Sequence, residues 1–157
     1  MIYIFDTNSI CAMSNYYPSA FAGFWAGMNS VVGDGSWMRV REVLNELDIR
    51  ERAPFVQEWA EENRAAFASP TDAEGEAVAE ILAVPHFQTV IGDRALKQGT
   101  PVADPFIVAS ARVNSGAVIT EESYKRHGAK IPNICEHFEV QCHNLEWFIE
   151  QQGWTFR

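Results

Sequence analysis

Two short apolar runs in this 157-residue chain each stop abruptly in acid. Ile2 to Phe5 runs into Asp6-Thr7-Asn8, and Ala117 to Thr120 runs into Glu121-Glu122. A third acid, Asp104, stands before Pro105 and shares a helix face with Ile107, Val108 and Ala111 at i+3, i+4 and i+7, which sets it over a buried stripe. A fourth comes from the stretch in which Val40, Val43, Leu44 and Leu47 recur at helical spacing. At about 100° per residue, Glu46 and Asp48 flank that stripe while Glu42 points into solvent. Carboxylates gathered in one crevice call for a divalent cation. Mg²⁺ takes oxygen ligands, keeps several waters, and leaves positions for a phosphate oxygen and an attacking hydroxide, so the chemistry on offer is phosphodiester hydrolysis. Each acid also has a plain structural use: Asp6 as a turn or cap residue, Asp104 as the N-cap of a helix with Pro105 at its first position. Two strands that both terminate in acid are harder to dismiss than one.

The elements that must deliver these acids read as alternating strands and helices. Ile2 to Phe5 lacks polar alternation, as a strand covered on both faces does, and the carboxyl edge of an open parallel sheet is where ligands bind. Thr7, Asn8 or Ser9 can cap a short helix after the Asp6 turn. Pro18 to Val32 predicts a helix ended by Gly33-Asp34-Gly35, Trp37 to Val40 a strand, and Arg41 to Arg50 a helix. Amphipathic helices follow at Pro54 to Phe67 and Asp72 to Leu82, the second opened by Ser69-Pro70-Thr71-Asp72. A polar connection with Asp93, Arg94 and Lys97 leads to the Asp104 helix, which Gly116 closes before the strand at Ala117 to Thr120. Ile131 to Cys135 begins a short helix, Val140 to Cys142 is the last strand, and Asn144 caps a helix bearing Leu145, Trp147, Phe148 and Ile149. The clustered aromatics of Phe21 to Val32 and of Trp154 to Phe156 either complete the core or form a contact surface.

With 47% hydrophobic and 21% charged residues, the chain fits one domain over 1–157 with a real core. No apolar run approaches the roughly 20 residues that cross a bilayer, and the amino terminus reads as a strand with an acidic stop, so no membrane association and a cytoplasmic location are expected. Cys11, Cys135 and Cys142 have neither metal nor disulfide spacing and read as reduced thiols. A net charge of -9 argues against a general phosphate-coating surface. Lys125, Arg126, His127 and Lys130 form a small basic cluster just past Glu122, either a solvated loop or a hold on nucleic-acid backbone.

Taken together, strand-Asp-Thr-Asn, a helical Glu, Ala-Asp-Pro-x-Ile-x-Ala and Val-Ile-Thr-Glu-Glu resemble the PIN-domain ribonucleases. The likeness extends to a PIN-like branch with a Lys-Ile-Pro-x-x-Cys segment, here Lys130 to Cys135, and a closing Gly-Trp-x-Phe, here Gly153 to Phe156. It covers nearly the whole chain and is weakest from Arg52 to Lys97. The resemblance implies a three-layer α/β/α sandwich around a central, mostly parallel sheet, a Mg²⁺ or Mn²⁺ site, and endoribonuclease activity on RNA. Many members are toxins of type II toxin-antitoxin systems, which implies an antitoxin partner and allows a homodimer. Carried over by position, the acids are Asp6, Glu46, Asp104 and Glu122, with Glu121 the alternative to Glu122; Asp6 and Asp104 would ligate directly, Glu46 and Glu122 would ligate or orient water, and the Asn8 amide would position a phosphate or a ligand. Lys125, Arg126 and Lys130 would hold flanking RNA. A Glu where the family has Asp two residues beyond the strand is a departure, one methylene longer. Haloacid-dehalogenase-like phosphatases need a second Asp where this chain has Asn8. The rival reading is a catalytically silent PIN-like protein-binding module.

Overall fold

The computed structural model describes residues 1–41, 43–44, 53–90 and 103–156. Five short strands, β1 (Tyr3–Phe5), β2 (Trp37–Val40), β3 (Phe67–Ala68), β4 (Ala117–Ile119) and β5 (Gln141–His143), form a single sheet in the order β3-β2-β1-β4-β5. Every pairing is parallel. The described helices are α1 (Thr7–Ala12), α2 (Ala22–Gly33), α3 (Pro54–Glu62), α4 (Asp72–Ala83), α5 (Asp104–Val113), α6 (Ile131–His137) and α7 (Leu145–Gln152). None is long and apolar enough to cross a membrane. The chain builds outward from β1 to β2 and β3, then returns to the other side of β1 for β4 and β5. The order reverses between β1 and β4, and in open parallel sheets the crevice outside such a switch point is the ligand site.

Alternation along β1 explains the layers. Tyr3 and Phe5 point to one face, where each ring meets Phe148 of α7 edge-on at 4.9 Å. Trp37 of β2 joins them 5.3 Å from Phe5 and carries the aromatic layer on to Trp59 of α3 and Trp25 of α2. The opposite face is covered by α5, which packs on β1, β2 and β4 and is itself backed by α4 and flanked by α6. Ile107, Val108 and Ala111 of α5 are buried, as the helical spacing from Asp104 requires. The expected α/β architecture, helices on both faces of a parallel sheet, is therefore the observed one.

Several boundaries differ from the sequence reading. The helix expected from Pro18 starts at Ala22, because Tyr17 to Ala20 forms a turn whose Tyr17 carbonyl accepts from the Ala20 and Phe21 N–H groups. The helix expected to reach Phe67 stops at Glu62, where the Asn63 amide donates back to the Trp59 carbonyl, and Phe67 instead pairs with Arg39 in β3. A two-residue strand has no periodicity to read. Asp104 is not an N-cap: Ala103 holds that position and Asp104 lies within the first turn of α5. Of the helix expected over Arg41 to Arg50, Arg41, Val43 and Leu44 are helical, while Glu46, Asp48, Asp93, Arg94 and Lys97 lie outside the described residues.

The aromatics of α2 and of the Trp154 to Phe156 end pack on one another, with Phe21, Trp154 and Phe156 half-buried. Phe24 and Trp25 are buried, Phe156 meets the rings of Tyr16, Phe21 and Phe24, and Trp154 meets Phe24 and Phe148. Trp154 lies so close on α2 that a Cβ at Gly27 would come within 2.4 Å of its ring. These side chains pack against the core of the chain, Phe24 and Trp25 within it and Phe21, Trp154 and Phe156 at its edge. Gly116 is required for a similar reason on the backbone, since a Cβ there would sit 2.5 Å from the Ile2 carbonyl oxygen. The left-handed residue after α5 is Ser115, not Gly116.

Candidate functional site

Register brings the two acidic stops together. Phe5 pairs with Ile119, so Asp6 and Thr120 are the next residues out along adjacent strands, and the Asp6 N–H still bonds the Ile119 carbonyl at 2.8 Å. Asp6 is only 3% exposed and Thr120 only 2%. A buried carboxylate needs donors. Asp6 has the Thr7 N–H on Oδ1 at 2.7 Å and the Thr120 hydroxyl on Oδ2 at 2.8 Å. The first bond makes Asp6 itself the N-cap of α1, in place of Thr7, Asn8 or Ser9. The Thr120 oxygen also accepts from the Glu122 N–H at 3.1 Å, so one hydroxyl links the Asp6 carboxylate to the backbone that carries Glu122.

Asn8 stabilises the same junction. Its Oδ1 accepts from the Glu121 N–H at 2.9 Å, which fixes the amide orientation, because only the oxygen can accept; the Nδ2 donor is the part suited to a phosphate or a ligand. Glu121 and Glu122 then diverge. Glu121 Oε1 accepts from the Leu145 N–H at 2.8 Å, at the start of α7, and from the Ser9 hydroxyl at 3.4 Å. Glu122 Oε2 accepts from the Ile131 N–H at 3.0 Å, at the start of α6. Helix amino termini offer unpaired N–H groups and a positive dipole end, so both acids are held in place.

Glu122, not Glu121, shares a cavity with Asp104. That cavity, about 380 Å³, is also lined by Lys125, His127 and Lys130. Asn133 shapes its loop by donating to the Lys125 carbonyl at 2.7 Å and accepting the Lys130 N–H at 3.2 Å, and His86 bonds the Gly128 carbonyl at 2.8 Å. Arg126 is exposed and does not line it. Thr120, read from sequence only as the last residue of an apolar run, was missed, although its hydroxyl at a strand end was a signal; His86 and Asn133 act through backbone contacts that no sequence spacing announces.

Over residues 3–156 the sequence matches the family described as Domain of unknown function (DUF4411). The chain belongs to that family. Among solved structures, the crystal structure of VapBC2 from Rickettsia felis bound to a DNA fragment from their promoter aligns over 92% of this chain and 98% of the other, at 14% identity and a TM-score of 0.49. No curated protein matches the sequence.

A larger cavity in this DUF4411 chain, about 680 Å³, opens at the carboxyl ends of β4 and β5 and shares Thr120 and Glu122 with the acidic junction. Its wall holds two thiols. The Cys135 thiol donates to Cys142 sulfur, which lowers the Cys142 pKa below the ordinary cysteine value and raises that of Cys135. Burial depresses the pKa of His143, which stacks on Trp147 with centroids 3.7 Å apart.

The all-carboxylate donor set suits a hard cation such as Mg²⁺ or Mn²⁺. Among the described residues no three His, Cys, Asp or Glu form a group able to hold one ion. Asp6 accepts the Thr7 N–H on Oδ1 and the Thr120 hydroxyl on Oδ2. Glu46, the remaining acid of the expected set, lies outside the described residues.

Proposed function

We propose that this chain is a PIN-like endoribonuclease dependent on Mg²⁺ or Mn²⁺, acting in the cytoplasm as the toxin of a type II toxin-antitoxin pair. The observation that carries the nuclease reading is the junction at the β1–β4 switch point: buried Asp6, bonded through Thr120 to the Glu122 backbone, with Glu122 and Asp104 lining one cavity. The toxin reading, with its antitoxin partner, is supported by the sequence resemblance alone.

Asp6, Asp104 and Glu122, joined by Glu46, would hold the ion. When bound, it would polarise a phosphate oxygen and lower the pKa of a coordinated water. The Thr120 hydroxyl and the Thr7 N–H orient the Asp6 carboxylate. Glu122 is longer than the family's Asp, and its Oε2 folds back to the Ile131 N–H, so it suits a role through water rather than tight ligation. Lys125 and Lys130, lining the cavity with these acids, would offset the charge of an RNA phosphate in a chain whose net charge is -9. The Asn8 Nδ2 would donate to the same phosphate.

One observation favours the rival, a protein-binding module. Asp6 caps α1, Glu121 meets the start of α7 and Glu122 the start of α6, so all three have structural work. Incubation of the protein with mixed single-stranded RNAs in Mg²⁺, Mn²⁺ or EDTA separates the readings. The nuclease cleaves with either ion, stops in EDTA, and loses at least ~100-fold in rate as Asp6→Asn, a change that preserves capping. Cleavage that survives both EDTA and Asp6→Asn, or none under any condition, defeats the nuclease reading.

A further inference from the structure

We propose that the 680 Å³ cavity at the ends of β4 and β5 is a subsite for one unstacked nucleobase of single-stranded RNA, with Tyr124 as a stacking platform. The inference rests on the nuclease reading for the choice of RNA and adds where one base of that RNA is seated. Glu122 lines both this cavity and the one it shares with Asp104, so a base seated here has its phosphate beside the acids. Tyr124 is 56% exposed and lies two residues past Glu122, immediately before the exposed Lys125 and Arg126. Among the described residues the other exposed large apolar side chains are Met1, Tyr17 and Val113, none of which lines this cavity.

The wall the cavity presents besides Tyr124 is a flat one. His143 and Trp147 stack nearly parallel, 8° between planes, and burial lowers the imidazole's pKa from its ordinary value. Aromatic faces next to cations are the pattern of single-strand binding, in which every base can stack and Lys or Arg tracks the backbone. A duplex holds its bases stacked and paired, so it has nothing to insert. Charge favours an occupant held by its base here and by its phosphate beyond: the cavity's own charged lining is Glu122 and Glu136, while Lys125, Arg126 and Lys130 beside it place a quarter of the chain's 12 basic residues within six positions.

Binding of a fluorescently labelled single-stranded RNA octamer, followed by anisotropy in EDTA so that cleavage is not required, tests this. Tyr124→Ala should weaken binding roughly 5- to 150-fold, the range for losing one stacked base, while Tyr124→Phe stays near the parent. An octamer of abasic ribose phosphates should bind parent and Tyr124→Ala equally, whereas Lys125→Ala should weaken both oligomers. Equal losses on the two oligomers with Tyr124→Ala, no loss on the octamer with bases, or tighter binding of duplex than of single strand would overturn the proposal. Absence of magnesium-dependent cleavage would count against the nuclease reading and leave this binding result standing.

Discussion

Thr120→Val removes a hydroxyl with almost no change in shape. In the parent that oxygen donates to the buried Asp6 carboxylate at 2.8 Å and accepts from the Glu122 N–H at 3.1 Å. A hydrogen bond to a charged group contributes about 1.5–3 kcal/mol, and leaving a part-buried N–H unmet costs about 1 kcal/mol more. The variant should therefore be about 3 kcal/mol less stable in EDTA. For a domain of this size that lowers Tm by roughly 6–12 °C. Thr120→Ser keeps the hydroxyl and loses one methyl, about 0.8 kcal/mol at most. If Thr120 orients Asp6 for ion binding, Thr120→Val should also weaken Mg²⁺ affinity or cleavage about 10- to 100-fold, the usual cost of losing a group that orients a ligand. Melts of the three proteins with and without Mg²⁺, with RNA cleavage on the same samples, supply the measurement. A Thr120→Val protein melting within a degree or two of its parent, or one no less stable than Thr120→Ser, would show that the bond does not stabilise the junction.

Added Mg²⁺ at ten times its Kd should stabilise the parent by about 1.4 kcal/mol, and Asp104→Asn should lose most of that gain; because Asp104 lies in the first turn of α5 and not at the cap, the substitution should cost under ~1 kcal/mol in EDTA. Cys142 should alkylate faster than Cys11 or Cys135 near neutral pH, with a midpoint below the ordinary cysteine value, because its thiolate is favoured by the Cys135 bond; reactivity is full above that midpoint and falls as pH drops through it. In Cys135→Ala the midpoint should rise, read by mass spectrometry of the labelled peptide, and an unchanged midpoint would show that the pair does not interact. Gly116→Ala forces a Cβ against the Ile2 carbonyl and should destabilise by about 1–3 kcal/mol in thermal melts, whereas Gly75→Ala, with open space around it, should be neutral or stabilising.

Local chemistry was legible in residue order wherever it depends on neighbours a few positions apart. The acidic stops after β1 and β4, the Thr71 cap on α4, the Asn144 cap on α7, and the buried stripe running from Asp104 through Ile107, Val108 and Ala111 all follow from alternation, helical spacing and capping propensity. Whether the acids meet depends on which strands lie side by side. Nothing local makes β4 dock against β1 at the register that sets Thr120 beside Asp6, 114 residues away. Where the Glu121 and Glu122 carboxylates go was likewise set in three dimensions, by the helix starts at Leu145 and Ile131 that each one reaches. Packing among the aromatics was also illegible, since Phe21, Trp154 and Phe156 look alike in sequence whether they face a partner or one another, and here they meet one another and α2 while staying half-buried. Sequence by itself determined which groups could do chemistry and on what kind of element each sits; only the sheet order, a property of long-range packing, decided that Asp6 would meet Thr120 and, through it, the backbone that carries Glu122.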